Sequence, residues 1–489
     1  MHRAGYRTPA GNTILQPCRS YLFTHRLLAA VDDSDLRAQE RVLSQLICTE
    51  TRRVYINDKE LEMLPQGRPW RSMCKGLILG TLLTSFMLLL YSYAIPPLHF
   101  SNTQNSAQYQ CSSYPAQAKY SVLPAKASNR SVDGSHSCQP RKDIVFMKTH
   151  KTGSSTILNI LFRFGEKNSL KFAFPSGRND FFYPSYFERG QVEGYQPGMC
   201  FNVFCNHMRF RYHEVHLLVP ADTTYVTVLR DPALLFESSF NYFKHVVPLT
   251  WKLSGEDTMA EFLRDPWHYY DPDGINSHYL RNLLFFDLGY DNNLNAESPL
   301  VEAQIKEVGA RFQLVMLMEY FDESLVLLRD LLCWDLQDIV YFKLNARRDS
   351  TISQLTPELY QKAADWNQID TKLYRYFNAT FWHKVDTYGR ERMARDVAEL
   401  QKENEKMRRV CIEGGHAVDY ESIQESALQP WQPVGEKNIL GYNLKKNIDV
   451  KYKRLCRKML TPEIQYMTNL GANLWITKLW SHVRSFLGF

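Results

Sequence analysis

Short apolar runs, each followed by a polar turn and then by apolar residues at helical spacing, recur in the second part of the chain. Three such runs predict buried strands that lead into helices: 144–146, Thr224–Leu229 and 314–318. Further stretches predict helices at 323–333, 355–366, 370–385 and 390–410. Buried strands that alternate with helices are typical of a parallel sheet covered by helices. The pattern therefore predicts an α/β domain.

One uncharged and largely apolar run stands apart, over residues 76–95. Twenty helical residues span about 30 Å, which is the thickness of a membrane's hydrocarbon core. The basic residues Arg68, Arg71 and Lys75 precede the run, whereas residues 76–118 carry no charge. Positive charge favours the cytosolic side, so we expect a single-pass type II membrane protein. A cleaved signal peptide is the alternative, but Pro96 and Pro97 follow in place of a small-residue cleavage site.

This topology divides the chain into four parts. Residues 1–75 form a cytosolic tail, and residues 1–62 are alternatively an extension ahead of a second start at Met63. The signal-anchor at 76–95 is followed by a stem at 96–141, which is rich in Ser, Gln, Ala and Pro. Residues 142–489 then form one lumenal domain.

The composition after the predicted anchor fits a lumenal location. Asn129 and Asn378 begin glycosylation sequons. The seven cysteines there are an odd number, so at least one does not pair within the chain, and Cys200 and Cys205 are near enough for a local bridge. No Cys-x-x-Cys pair or histidine cluster predicts a metal site. The net charge of +6 has no dense basic run with it, which argues against a nucleic-acid partner.

The turn after the first strand has the chemistry of a phosphate-binding loop. It offers free N–H groups at a helix N-terminus, lysine charge and several hydroxyls. The candidate donor-site residues are Lys148, Lys151, Thr152, Gly153, Ser154, Ser155 and Thr156. Because Lys151 precedes the only glycine, the loop is not a nucleotide-hydrolase P-loop. Its order resembles the 5′-phosphosulfate loop of sulfotransferases that use 3′-phosphoadenylyl sulfate (PAPS); a basic turn with a serine cap is the simpler alternative.

A second strand–turn–helix segment carries Arg230 at the strand end and Ser238 two helical turns later. Asp231 and Pro232 are typical of a helix N-cap and first helical position. Sulfotransferases bind the 3′-phosphate of PAPS with an arginine and a serine at this spacing, so the resemblance implies that role here. The alternative is an arginine paired with a core carboxylate and a serine exposed on the helix.

Sulfate transfer to a hydroxyl needs a cation at the departing phosphate and a base at the acceptor. We assign the first role to Lys151 and the second to His207, which lies between the two motifs at the end of a predicted strand, 201–204. His150 is the second candidate base and His213 a weaker one. A hydrogen-bonded structural histidine is an equally good interpretation of His207.

Two further segments are ambiguous. Residues 276–287 mix amides, aromatic rings and a carboxylate, which suits sugar hydroxyls and a pyranose face as well as it suits a half-buried helix. From Ala472 onward, apolar residues lie along one side of a predicted helix that includes Trp475 and Trp480. That side either packs on the domain or lies at a membrane surface.

Taken together, the motifs at 146–156, 205–210, 228–232, 279–287 and 319–325 resemble those of the galactose 3-O-sulfotransferase family. The resemblance covers the chain from about Met63 to Phe489 and implies a P-loop-like sulfotransferase fold. It implies transfer of sulfate from PAPS to the galactose 3-hydroxyl of galactosylceramide and related galactolipids, without a metal, in the Golgi membrane. It supports Lys151 and His207 as catalytic residues. A homodimer, sulfation of glycoprotein galactose, and a non-catalytic glycolipid-binding protein are further hypotheses.

Overall fold

The computed structural model describes residues 138–487, the last four by backbone alone, together with the helical residues Gly80, Thr81 and Thr84. The predicted tail at 1–75, the rest of the predicted anchor, Asn129 and most of the stem therefore lie outside the described residues. Within the described ranges, no helix is long and apolar enough to span a membrane. The fold reported below belongs to the second of two units of the chain, Tyr93–Phe489.

Five parallel strands form the centre of this unit: β1 Ile144–Met147, β2 Phe172–Ala173, β3 Val203–Phe204, β4 Thr224–Leu229 and β5 Leu314–Leu317. Their order in the sheet is β2-β3-β1-β4-β5, and every pairing between neighbours is parallel. The predicted α/β class is confirmed. The predicted strand at 201–204 is shorter in the structure, since only its last two residues pair with both neighbours.

Helices cover the sheet and follow the strands in the chain. They are α1 Ser154–Lys167, α2 Tyr212–Val215, α3 Pro232–Phe243, α4 Thr258–Arg264, α5 Pro266–Tyr269, α6 Leu283–Asp287, α7 Pro299–Arg311, α8 Phe321–Leu332, α9 Leu336–Ile339, α10 Pro357–Trp366, α11 Gln368–Tyr388, α12 Arg390–Cys411, α13 Val450–Leu460, α14 Glu463–Asn469 and α15 Trp475–Leu487. The long predicted helices are confirmed within a few residues of their ends.

The core has two parts, and both help to position the site. The main cluster includes all five strands and the buried face of α1. A smaller cluster packs Phe236 and Phe240 of α3 against Phe262 of α4 and Trp366 of α10. Helix α3 is therefore fixed along its length, because Leu235 in its first turn belongs to the main cluster.

Disulfides close two parts of the domain, Cys138–Cys333 and Cys411–Cys456. Cys200 and Cys205, which are near enough in sequence to pair, do not pair with each other: Cys205 is free and buried, whereas Cys200 is disulfide-bonded. Cys205 directly follows β3 and belongs to the main core cluster. Burial raises the pKa of its thiol, which keeps the sulfur protonated.

The C-terminal helix packs on the domain at its beginning and is exposed farther along. Its first turn is attached to the domain, because the N–H of Ile476 donates to the carbonyl of Gly177 over 2.9 Å and Thr477 is buried. Farther along, Trp480 is 58% exposed and Val483 is also exposed. Packing on the core therefore explains the beginning of this helix but not the two outer apolar residues.

Candidate active site

The two predicted donor motifs meet at one edge of the sheet. Strands β1 and β4 are neighbours, with Met147 opposite Thr227, so the segments that follow them leave the sheet side by side. Arg230 Nη1 donates to the carbonyl of Lys151 over 3.0 Å, which joins the motifs directly. Because the carboxyl ends of parallel strands are the usual ligand-binding edge of α/β proteins, this is the expected place for a nucleotide.

Helix α1 begins at Ser154, earlier than the apolar spacing indicated. Gly153 is its N-cap, with a φ of 72° that favours glycine. All four hydroxyls of the loop bond to protein atoms: Thr152 and Ser154 donate to the Thr149 carbonyl, Ser155 donates to Glu463, and Thr156 accepts from the N–H of Leu344. These side chains brace the loop. The N–H of Thr156 donates to the carbonyl of Gly153 over 3.1 Å, so the N–H groups of Ser154 and Ser155 are the ones left as donors for an anion.

Lys151 lies where the two motifs converge. Its Nζ is 3.6 Å from the ring centroid of Tyr242, a cation–π distance. Burial lowers the pKa of Lys151 to about 7, and the positive charges of Arg347 and Arg230 add to this shift. The negative charge of a bound anion would raise the pKa of Lys151 again, because it stabilises the protonated ammonium group against burial and against the two arginines.

Helix α3 contributes a buried carboxylate that the sequence analysis missed. Both oxygens of Glu237 accept from Arg347 Nη2, at 2.8 and 2.5 Å. The Nη1 atom of Arg347 is buried and has no partner among the described residues. Ser238, the predicted 3′-phosphate ligand, is the next residue of the helix and is also buried. The unpaired guanidinium donor lies near the positive charges of Lys151 and Arg230, and such a group of cations fits a phosphate. The sequence does contain a signal for this carboxylate, because Glu237 is a charged residue within the largely apolar helix α3.

Lys148 has a different environment from the one predicted. Its side chain is only 2% exposed, and its Nζ lies 2.5 Å from Oε2 of Glu463, the first residue of α14. The ammonium group is therefore engaged with a carboxylate in this structure. Its contact with the sulfate donor stays a prediction.

The clearest candidate base is His150. Its Nδ1 is 3.0 Å from both oxygens of Asp287, and its backbone N–H donates to the same carboxylate over 2.7 Å. Tyr183 also donates to Asp287, over 2.7 Å. Since a carboxylate only accepts, Nδ1 carries the proton and Nε2 has a free lone pair. This arrangement orients and strengthens a base, as in other histidine–carboxylate pairs.

His207, the preferred base from sequence, lies directly against His150. The two rings stack with their centroids 3.9 Å apart, and His207 Nδ1 is 3.1 Å from the carbonyl of Lys148. Burial, followed by the neighbouring His150 and Lys148, holds the pKa of His207 well below its usual range. His207 is therefore a neutral imidazole that packs against His150. His213, the third candidate, lies on α2 and is exposed.

The helix that carries Asp287 is itself held by a buried carboxylate. Asp370 accepts from the N–H groups of Leu284 and Phe285 at 3.0 and 2.9 Å, at the beginning of α6. Burial raises the pKa of Asp370 to about 7. Asp287 is the last residue of α6, so the orientation of His150 depends on this short helix.

Aromatic side chains pack around His150. Tyr183 lies 4.5 Å from the imidazole and Tyr279 lies 5.5 Å from it, by ring centroids, and Tyr279 stacks on Phe243 at 3.6 Å. These rings come partly from segment 276–287, the predicted sugar-contact region. Asp287 of that segment is fully buried and bonded to His150, so it is not available to a sugar hydroxyl.

Two other sequence-based predictions concern groups outside this site. Within the described part of the chain, no three His, Cys, Asp or Glu side chains are grouped as metal ligands. Asn378 lies inside helix α11, and its side-chain oxygen is buried with no partner there. Its glycosylation stays a prediction.

Comparison with known proteins agrees with the motif geometry. A family model described as Galactose-3-O-sulfotransferase matches residues 60–474. The chain belongs to the galactose-3-O-sulfotransferase family. Human galactosylceramide sulfotransferase is 62% identical over 425 residues, which cover 86% of this chain and 99% of that protein. The mouse galactosylceramide sulfotransferase is 62% identical over 429 residues, covering 87% and 100%.

More distant relatives match the central part of the chain. Pig galactose-3-O-sulfotransferase 2 is 42% identical over 337 residues, which cover 68% of this chain and 84% of that protein. The family assignment made from the motifs is thus confirmed, and so is the prediction that the protein is a sulfotransferase. The roles of individual residues in this galactose-3-O-sulfotransferase depend on the geometry described above.

Proposed function

We propose that the protein transfers sulfate from PAPS to the 3-hydroxyl of galactose in galactosylceramide and related galactolipids, forming sulfatide. The observation that carries the proposal is the contact between the Lys151 loop and Arg230, which brings two anion-binding motifs to one place. The acceptor is supported by the names of relatives that are 62% identical over almost their whole length.

For the donor, we assign the 5′-phosphosulfate to the N–H groups at the start of α1 and to Lys151. The 3′-phosphate is assigned to Arg230, Ser238 and the unpaired Nη1 of Arg347. The side-chain hydroxyls of the loop then act indirectly, since they keep the N–H groups in place. An arginine pair and a lysine provide the charge that a multiply anionic nucleotide requires.

For the transfer step, His150 Nε2 accepts the proton of the galactose 3-hydroxyl while the oxygen attacks sulfur. The bond between sulfur and the phosphate oxygen breaks, and Lys151 stabilises the negative charge on the departing phosphate. Asp287 holds the proton on His150 Nδ1 and stabilises the imidazolium. The products are the sulfated lipid and adenosine 3′,5′-bisphosphate (PAP). His207 packs beside His150 and is the alternative base.

A direct test uses the purified full-length protein in detergent micelles with radiolabelled PAPS. Galactosylceramide is compared with soluble N-acetyllactosamine, and glucosylceramide serves as a matched acceptor control. We expect transfer to galactosylceramide alone among the two lipids. A strong preference for the soluble sugar would favour glycoprotein galactose as the acceptor. Absence of both transfer and PAP binding would instead support a non-catalytic glycolipid-binding protein.

The location is part of the proposal. The run 76–95 would anchor the protein in the Golgi membrane with its catalytic domain in the lumen. The disulfides of the domain, among them Cys138–Cys333 and Cys411–Cys456, support an oxidising compartment. Protease protection of sealed Golgi vesicles tests the topology, because digestion of the catalytic domain in intact vesicles would reject it. Homodimer formation stays a prediction that light scattering can check.

A further inference from the structure

Glu463 connects the two ends of the proposed donor loop. Its Oε2 atom lies 2.5 Å from Nζ of Lys148, which directly follows β1, and accepts from Ser155 Oγ, at the start of α1, over 3.2 Å. The contacts join residues 315 and 308 positions apart in sequence. One carboxylate oxygen thus holds the end of the strand and the beginning of the helix on either side of Lys151 and Gly153.

The position of this acid needs an explanation. A carboxylate beside a loop that takes an anionic nucleotide would repel that ligand if it were unpaired. Lys148 neutralises it at a direct contact, within a nearly closed environment. The other oxygen, Oε1, is buried and has no partner among the described residues. The group is therefore kept at the loop although only half of its hydrogen-bonding capacity is used there.

The main chain of Lys148 connects this ion pair to His207 and His150. The carbonyl of Lys148 accepts from His207 Nδ1, and residues 148 and 207 also form a parallel β-bridge. His207 in turn stacks on His150. The side chain of Lys148 is fixed by Glu463, and its main chain is fixed by the bridge. Both ends of this residue are therefore used to hold the loop.

We propose that Glu463 is a positioning residue for the donor-binding loop. It fixes Lys148 and Ser155 so that the N–H groups at the start of α1 are aligned for the 5′-phosphosulfate, and Lys148 neutralises Glu463 in return. The inference rests on the proposed function, since it takes PAPS as the donor. It gives Lys148 an indirect role, whereas the sequence analysis placed this lysine among the residues that contact the donor.

The main test measures PAP affinity by titration calorimetry with the full-length protein in detergent micelles. Glu463→Ala should weaken PAP binding about tenfold, because the loop loses both bonds, while the KM for galactosylceramide stays unchanged. The PAP affinity of Glu463→Gln should lie between those of the wild-type protein and Glu463→Ala, since the amide oxygen of glutamine can still accept from Ser155. This conservative variant also covers the case in which Glu463→Ala does not fold.

The matched control is Glu166→Ala. Glu166 lies near the C-terminal end of the same helix, α1, and pairs with Lys458 at 2.7 Å and Tyr466 at 2.9 Å. Its removal should lower the melting temperature and leave PAP affinity unchanged. If both alanine variants lose PAP affinity equally, or if Glu463→Ala changes only the melting temperature, Glu463 has a merely structural role and the proposal fails.

A double-mutant cycle tests the pairing itself. Lys148→Ala leaves the carboxylate without its cation, so PAP should bind more weakly than to Glu463→Ala, and the double variant should recover part of that loss. Tighter PAP binding by Glu463→Ala would mean that Glu463 restrains Lys148 from the donor, which overturns the inference. Wild-type protein without PAP affinity would overturn the proposed function instead.

Discussion

PAP binding should weaken as the pH rises above 7, because the free protein must then protonate Lys151 to form the complex. Burial and the charges of Arg347 and Arg230 lower the pKa of Lys151 to about 7, whereas the negative charge of the bound phosphates should raise that pKa again. The sign follows from the depressed value: the charged, binding-competent form of the free lysine predominates below pH 7 and is lost above it.

The size of the effect follows from this pKa. About half of the free protein carries a charged Lys151 at pH 7.0, and about 3% does at pH 8.5. PAP affinity should therefore fall about sixteenfold over that interval. The phosphates of PAP ionise near pH 6, so they contribute little to the change. His207 is neutral throughout, since its pKa lies well below the usual range.

Titration calorimetry at several pH values, in buffers of different ionisation heats, measures both the affinity and the protons taken up. Uptake should approach about one proton per PAP at pH 8.5. Lys151→Arg is the matched control, because a guanidinium stays charged over this range and can still lie over Tyr242. A flat wild-type profile, or an equally steep profile for the arginine variant, would refute the role of Lys151.

Three further predictions concern other parts of the domain. His150→Ala should lower kcat about 10²–10⁴-fold with PAP affinity intact, as measured by sulfate transfer and calorimetry; a larger loss for His207→Ala would make His207 the base. Arg347→Ala should cost about 3–5 kcal/mol in denaturant unfolding, because the buried Glu237 carboxylate loses its cation and keeps only hydrogen bonds from Asn241 and Ser353. Arg348→Ala removes a half-exposed pair with Asp419 and should cost under about 1 kcal/mol; equal losses would contradict this. Cys411→Ser should cost about 4 kcal/mol for a loop of 45 residues, and an unchanged unfolding midpoint would show that the bridge does not constrain the unfolded chain.

The local features of the site could be predicted from the sequence. Each donor motif is a strand, a turn and a helix within about fifteen residues, so spacing alone places Lys151 and Arg230 at strand ends. The Asp231 cap is confirmed, since its side chain accepts from the N–H groups of Ala233 and Leu234. The start of α1 was placed too late, because apolar periodicity does not register the polar first turn that follows Gly153.

The partners of the charged groups could not be predicted in this way. Asp287 is 137 residues from His150, and Glu463 is 315 residues from Lys148. Such pairs form only when the sheet and its helices are assembled, and local spacing does not encode them. The choice of His150 over His207 as the base depended on the contact with Asp287, since a carboxylate beside an imidazole orients the ring and favours its protonated form.

The short helix α6 has a consequence for variation among related enzymes. Asp370 holds its first turn and Asp287 ends it, so the orientation of the His150 imidazole depends on Asp370 as well as on Asp287. Replacements near Asp370 should change the orientation of His150, the proposed base. They should alter turnover without changing the residues that contact the sulfate donor or the sugar. Sequence differences at the start of α11 should therefore change kcat, although this helix reaches His150 only through α6.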